Sequence, residues 1–204
     1  MVTTPNRDRR AEQRAATQQE ILDAAWDVAH ELGLASVTLR EVAARVGMQA
    51  PSLYTHFDSK HAIFDAMFTQ AWTDYLAVAT AAQDQLPSEP RAMLKTLAGT
   101  FVDFALADLA RHQLMNVRTI PGFAPSPQAY EPAVAVLANL RALLVEMGAT
   151  GQDAVDLLTA LVGGLIDQQW ANDPGGSRWR RLLDRAMDMY ADEMGLPGPR
   201  RRAR

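Results

Sequence analysis

Cysteine is absent from the 204 residues, which removes disulfides, thiolate-held zinc or iron–sulfur sites and a cysteine nucleophile, and fits a reducing cytosol. No apolar run approaches the roughly 18 residues of a membrane helix. The first twenty residues carry Arg7, Arg9, Arg10 and Arg14 without the apolar stretch of a secretory signal. Sustained period-2 alternation, the mark of a half-buried strand, is also missing. So are a Gly-x-Ser-x-Gly elbow, a phosphate loop, a His-Glu-x-x-His pair and a paired-carboxylate cluster. His30, His61 and His112 lack metal-ligand spacing, so neither an enzyme, a metal nor another cofactor is expected.

An excess of positive charge is lacking as well, since the net charge is -4. Taken alone, that argues against nucleic acid, which attracts proteins through a positive face. The distribution weakens the objection: residues 1 to 61 carry seven Lys/Arg against eight acids, residues 62 to 198 nine against sixteen, and the last six residues four arginines and no acid. The 48% hydrophobic and 22% charged content is ordinary for a globular chain, and the length allows one or two compact units.

What is present throughout is apolar spacing of three and four, so the fold is expected to be all-α. Ile21, Leu22, Ala25, Val28, Ala29 and Leu32 mark an amphipathic helix over 17–32 that stops at Gly33, a residue suited to a left-handed position. Thr38-Leu-Arg-Glu41 reads as a capping box opening a short helix with Val42, Ala43 and Val46 inward. Gly47 permits a tight turn, and a second short helix runs from about Gln49 to Phe57 with Pro51 in its first turn. Asp58-Ser59 caps a long helix from Lys60 to about Ala82, roughly 35 Å at 1.5 Å per residue. Further helices are expected at about 91–109, 130–147, 152–170 and 177–194, separated by proline- and glycine-rich breaks. Residues 1 to about 10 and 197–204 read as flexible arms.

Two short helices joined by a glycine turn after a longer supporting helix have the proportions of a helix-turn-helix unit. Val42, Ala43, Val46, Leu53 and Phe57 would bury against the supporting helix. Gln49, Ala50, Ser52, Tyr54, Thr55 and His56 are then left on the face free to enter a major groove. The stretch VTLREVAARVGMQAPSLYTHFDSKHAIFDAM from Val37, with Gly47, Leu53, Tyr54, His56 and Phe57 followed by Lys60, resembles the DNA-binding domain of the TetR family of bacterial one-component regulators. The resemblance covers about 17–67; beyond it, only helix number and length match. It implies phosphate contacts by Thr38, Tyr54, His56 and Lys60, and base-facing positions at Arg40, Gln49, Ala50, Pro51, Ser52 and Thr55. Arg40 is the natural guanine reader, because its fork fits O6 and N7. Each has a plainer role beside this one: Thr38 as a helix cap, Tyr54 as a packed aromatic, His56 as a structural histidine. Arg45 reads as a solvated surface charge, and the N-terminal arginines as a solvated arm or a minor-groove reader.

The division expected is an arm and helix-turn-helix domain over 1–60, a helical effector-binding and dimerisation domain over 61–196, and a basic tail over 197–204. The 152–170 segment is apolar on two stripes, one with Val155, Leu158, Val162 and Leu165, the other with Leu157, Leu161 and Gly164, so both faces need cover. The resemblance implies that this helix and the last one, through Leu158, Val162, Leu165, Trp179, Leu183, Ala186 and Tyr190, form a four-helix homodimer interface. Trp72, Tyr75, Phe101, Phe104, Met115, Phe123 and Trp170 are candidates to line a pocket for a small, largely apolar effector. The expected function is a cytoplasmic repressor, released by that effector from a palindromic double-stranded operator, with no membrane partner. A helical small-molecule-binding protein that uses the helix-turn-helix only as scaffold, and an enzyme with an unrecognised helical site, are the alternatives.

Overall fold

The structure, a computed structural model, describes residues 5–198, with side chains from Arg9 onward. The side chain of Arg7 and the tail residues Arg200, Arg201, Arg202 and Arg204 lie outside what is described. Among the described residues there are nine α-helices and no strand. They are α1 (Pro5–Leu32), α2 (Leu39–Arg45), α3 (Ala50–Leu53), α4 (Lys60–Gln83), α5 (Pro90–Leu106), α6 (Leu109–Asn116), α7 (Glu131–Met147), α8 (Gln152–Asn172) and α9 (Leu183–Glu193). Single 3-10 turns at Leu34–Ser36 and Arg180–Leu182 complete the set.

Four elements differ from expectation for physical reasons, one being α9, which begins at Leu183 rather than near 177 because the amides of Trp179 and Arg180 donate to Gln169 and the chain makes a 3-10 turn over Arg180–Leu182 first. Helix α1 begins at Pro5 rather than Thr17, so residues 5–10 are helical and not a flexible arm. The extension is rich in Arg, Ala, Glu and Gln, all strong helix formers, and proline is tolerated in a first turn. Having almost no apolar residues, it shows no periodicity. Helix α3 stops at Leu53 instead of Phe57: the amides of Tyr54 and Thr55 donate to the carbonyls of Pro51 and Ser52, tightening the last turn, while His56 and Phe57 both donate to Leu53. The eight-residue α6 fills a stretch for which no element was expected, burying Ala110, Leu114 and Met115.

The chain packs as two compact units, one comprising residues up to Ala71 together with Ala110–Tyr130, the other Trp72–Leu109 and the chain from Glu131. The first unit buries Ile21, Ala25 and Val28 of α1, Val42 and Ala43 of α2, Leu53, Phe57, and Ile63, Phe64 and Met67 of α4. Val46, expected inward, is only half-buried at the C-cap of α2. The turn after α2 is a Schellman arrangement, in which Met48 N–H reaches back to Ala43 O at 2.9 Å while Gly47 sits at φ 67°, where a side chain is strained. Gly33 combines φ 83° with ψ 158°, a region essentially restricted to glycine and distinct from the left-handed helical position expected of it.

The second unit gathers Leu94, Ala98 and Val102 of α5, Val155, Leu158, Val162 and Ile166 of α8, and Leu183, Met187 and Tyr190 of α9 into one core. Helices α5 and α9 run antiparallel, joined by ion pairs one turn apart, Arg91 with Asp192 at 2.6 Å and Lys95 with Asp188 at 2.7 Å, while Arg180 in the turn before α9 pairs with Asp103 of α5 at 2.6 Å. The connection between α8 and α9 is built on Gln169, a fully buried amide. Its oxygen accepts from Trp179 N–H at 2.8 Å and Arg180 N–H at 3.1 Å, and its nitrogen donates to Asp173. Such a buried amide is tolerable because its hydrogen-bonding groups are partnered. No single described helix is long and apolar enough to cross a membrane.

Candidate nucleic-acid interface

The candidate surface is assembled from the inside out. Leu53 and Phe57 are buried, anchoring the α3 segment, while Gln49, Pro51, Ser52, Tyr54 and Thr55 are exposed; Tyr54, at 55% exposed, is not a packed aromatic. Ala50, His56 and Lys60 are half-buried at its margin, and Thr38 and Arg40 are exposed at the start of α2. Thr38 is the N-cap of α2: Glu41 N–H donates to its Oγ1 at 3.1 Å. Ser59 plays the same part for α4, accepting from Ala62 N–H at 3.1 Å. Two helix starts with outward amides and partial positive charge therefore border the exposed face, the arrangement that receives phosphate oxygens. Lys60 Nζ lies 5.2 Å from the centre of the Phe64 ring, a cation–π contact that orients the ammonium at this edge.

Two supports were not readable in the sequence. Gln18 Nε2 of α1 donates to His56 O at 3.0 Å, and Arg14 donates to Thr55 O at 3.3 Å, so the supporting helix holds the carbonyl end of the α3 turn. Arg14 is thus a helical side chain with a protein partner. Arg45 is exposed, as expected of a surface charge, and pairs with Glu31 through two bonds of 2.8 and 2.5 Å that tie α2 to α1. The hydrogen bonds from Arg45 hold the Glu31 carboxyl below its ordinary pKa. Partners fourteen residues apart on different helices leave no local spacing to detect. His56 Nδ1 is buried without a hydrogen-bond partner among the described residues.

The other candidate residues do not form one site. Trp72, Tyr75, Phe101 and Phe104 do come together: Tyr75 meets Phe101 edge-on at 5.0 Å and Phe104 at 5.1 Å, and Trp72 lies near-parallel to Phe101 at 6.5 Å. Burial pushes the Tyr75 phenol up to about 12. Met115 and Phe123 belong to the other compact unit, where both line a cavity of about 90 Å³. Trp170 packs on the core of the second unit.

The expected interface residues need correction. Leu158, Val162, Leu183 and Tyr190 are each at most 6% exposed and belong to the protomer's own core, with Tyr190 Oη donating to Ala154 O at 2.9 Å. A second subunit has nothing of them left to cover. Leu165, Trp179 and Ala186 are half-buried. The apolar residues turned outward are Leu157 and Gly164 on α8, Leu182 in the turn before α9 and Met189 on α9, while Leu161 and Ala186 pack partly buried against the core. Periodicity shows that α8 has two apolar stripes but not which of them faces inward. No group of histidines and acids suited to a metal ion occurs among the described residues.

A short helix with an exposed, hydrogen-bonding outer face, held at a glycine turn against a capped helix and flanked by two helix N-termini, defines a helix-turn-helix DNA-binding protein. Residues 21–67 match the family described as "Bacterial regulatory proteins, tetR family". The chain is 32% identical over 165 residues to the Tetracycline repressor protein class A from transposon 1721 of Escherichia coli, an alignment covering 78% of this chain and 69% of that repressor. Its fold is shared by the fatty acid degradation regulator FadR from Bacillus halodurans (TM-score 0.67, 17% identity, 99% of this chain and 100% of that one). A regulatory protein of the tetR family from Rhodococcus RHA1 shares it too (TM-score 0.62, 19% identity, 89% and 98%). The chain belongs to the tetR family of bacterial regulatory proteins. It is a DNA-binding transcriptional repressor and not an enzyme.

Proposed function

We propose that this repressor acts in the cytoplasm as a homodimer on a palindromic operator and leaves it when a small, largely apolar effector binds. The observation that carries the reading is the exposed face around α3. On this face and its margin the reading assigns Arg40, Gln49, Ala50, Pro51, Ser52 and Thr55 to bases, and Thr38, Tyr54, His56 and Lys60 to phosphates. Reading belongs to residues 1–60 and effector binding and dimerisation to 61–196. A palindrome calls for two copies with half-sites about 34 to 36 Å apart. The exposed apolar side chains of this region, Leu157 on α8, Leu182 before α9 and Met189 on α9, are the surface a second copy would cover. The rings of Trp72, Tyr75 and Phe101 pack against one another as an apolar cluster in the second unit.

Selection of bound duplexes from a random pool, followed by titration in salt, tests the reading. Lys60→Ala should weaken all duplexes alike and reduce the salt slope by about one unit, whereas Arg40→Ala should also relax preference at one base pair by about 1 to 3 kcal/mol. Enrichment of no sequence would return the chain to the scaffold reading. Intact preference with lower overall affinity in Arg40→Ala would make Arg40 a phosphate clamp.

A further inference from the structure

The first compact unit contains a cavity that the DNA-reading surface does not use. It lies between α4, the end of α6 and the 117–130 segment, and has a volume of about 90 Å³. We propose that it is a binding site for a single-ring aromatic monocarboxylate. The inference deepens the effector reading above and rests on it for its consequence at DNA, but not for the binding itself.

Size sets the first limit. A site needs roughly 10 to 15 Å³ of such volume for each water-sized occupant, so 90 Å³ admits about six to nine heavy atoms, the bulk of one substituted ring. Chemistry sets the second. The buried end is made by Phe68, Leu114 and Ile120, none above 7% exposed, and the rings of Phe123 and Tyr130 flank it. That inner end favours an aromatic body, while the exposed Asn116 and Thr119 make the outer part of the lining polar. The one charged residue in the lining is Arg118, which is exposed and has no ion pair among the described residues. A guanidinium forms two parallel bonds with a carboxylate, so the occupant carries one acid group at its outer end.

The walls also connect to the DNA face within the same unit. Phe123 packs on Phe64 at 5.4 Å and on His61 at 5.7 Å, and Lys60 Nζ lies over that same Phe64 ring. Asp65 on α4 fixes the segment further, accepting from Ser126 N–H at 3.0 Å. An occupant that moves Phe123 therefore acts on the first turn of α4, where a phosphate-contacting lysine stands.

Benzoate is the probe and toluene the uncharged control, each titrated by calorimetry and saturation-transfer NMR against the full chain without DNA. Benzoate should bind with a Kd on the order of 0.1 mM and toluene at least about tenfold more weakly. Arg118→Gln should bring benzoate down to the toluene level and leave toluene unchanged. Ile120→Phe should diminish both, with circular dichroism confirming the fold. Because Arg118 is exposed, its variant carries the test even if Ile120→Phe fails to fold. Equal binding of the two probes, benzoate binding that survives Arg118→Gln, or no benzoate binding at all would overturn the site. Fluorescence anisotropy on a selected duplex separates the consequences: benzoate should weaken the duplex several-fold in the wild type and not in Arg118→Gln. Binding without that change would overturn the coupling to DNA, and failure to select any duplex would overturn the DNA reading while leaving the site intact.

Discussion

The α2–α3 region and the α8–α9 region solve opposite problems with helices. Around α3 the inward residues are few, chiefly Val42, Ala43, Leu53 and Phe57, and the outward ones are polar or small, from Gln49 to Thr55. Along α8 and α9 the inward residues are many, and among the acids and other polar groups on the outside stand a few large apolar side chains, Leu157 and Met189, with Leu182 just before α9. A surface for nucleic acid is built by exposing hydrogen-bonding groups on a minimal core, because specificity there is read through base edges and phosphates. A surface that exposes large apolar side chains instead suits another protein surface. Each region can be broken from within or from without, and the two kinds of damage should separate.

The largest effect is expected inside the second unit. Leu183 is fully buried, so Leu183→Arg places an unpaired charge in the core and should cost about 3 to 5 kcal/mol, read from urea unfolding. Leu157→Arg should act differently. Being on the outward stripe, it should leave the melting temperature of the isolated protomer nearly unchanged and weaken self-association by about 2 kcal/mol, some thirtyfold in Kd by sedimentation. If both variants unfold the chain alike, the outward stripe is core and the contrast between the two faces of α8 fails.

An intermediate effect depends on pH. Burial raises the Tyr75 phenol from 10.0 to about 12, so the neutral form is favoured in the folded chain. Stability from this group is complete below pH 10 and is lost as pH rises from about 10 toward 12, by about 2 kcal/mol at the upper end. Tyr75→Phe keeps the ring contacts and has no proton to lose, so its unfolding free energy should fall less between pH 9 and 11.5. Equal slopes for the two proteins would mean that the hydroxyl is solvated and that the aromatic group around it is open.

What the sequence disclosed follows the same division. The helix-turn-helix was legible because its signals are local: Thr38 and Glu41 three apart, Gly47 at a turn that demands positive φ, and Ser59 before Lys60. Features depending on distant partners were not, such as Arg45 with Glu31, Gln18 with His56 and the Gln169 amide holding the α8–α9 connection. Helix α6 escaped because eight residues give too few periods to register. The α8 stripes were visible, but their sidedness depends on what α5 and α9 bring to the core, which α8 does not encode.

The smallest effect separates two roles of one hydroxyl. Thr38 Oγ1 accepts from Glu41 N–H, which occupies an acceptor position and leaves its own proton available to a phosphate oxygen. Thr38→Ala removes both and should cost about 1 kcal/mol of stability, the usual value of a lost cap. Operator affinity measured well below the melting temperature is insensitive to that cost, because nearly every molecule stays folded. A drop in affinity there therefore reports the phosphate contact alone, and Thr38→Ser, which keeps the hydroxyl, should restore most of it. If Thr38→Ala lowers the melting temperature but leaves affinity and its salt dependence as they were, Thr38 is only a cap. Phosphate binding at the start of α2 would then rest on the backbone amides.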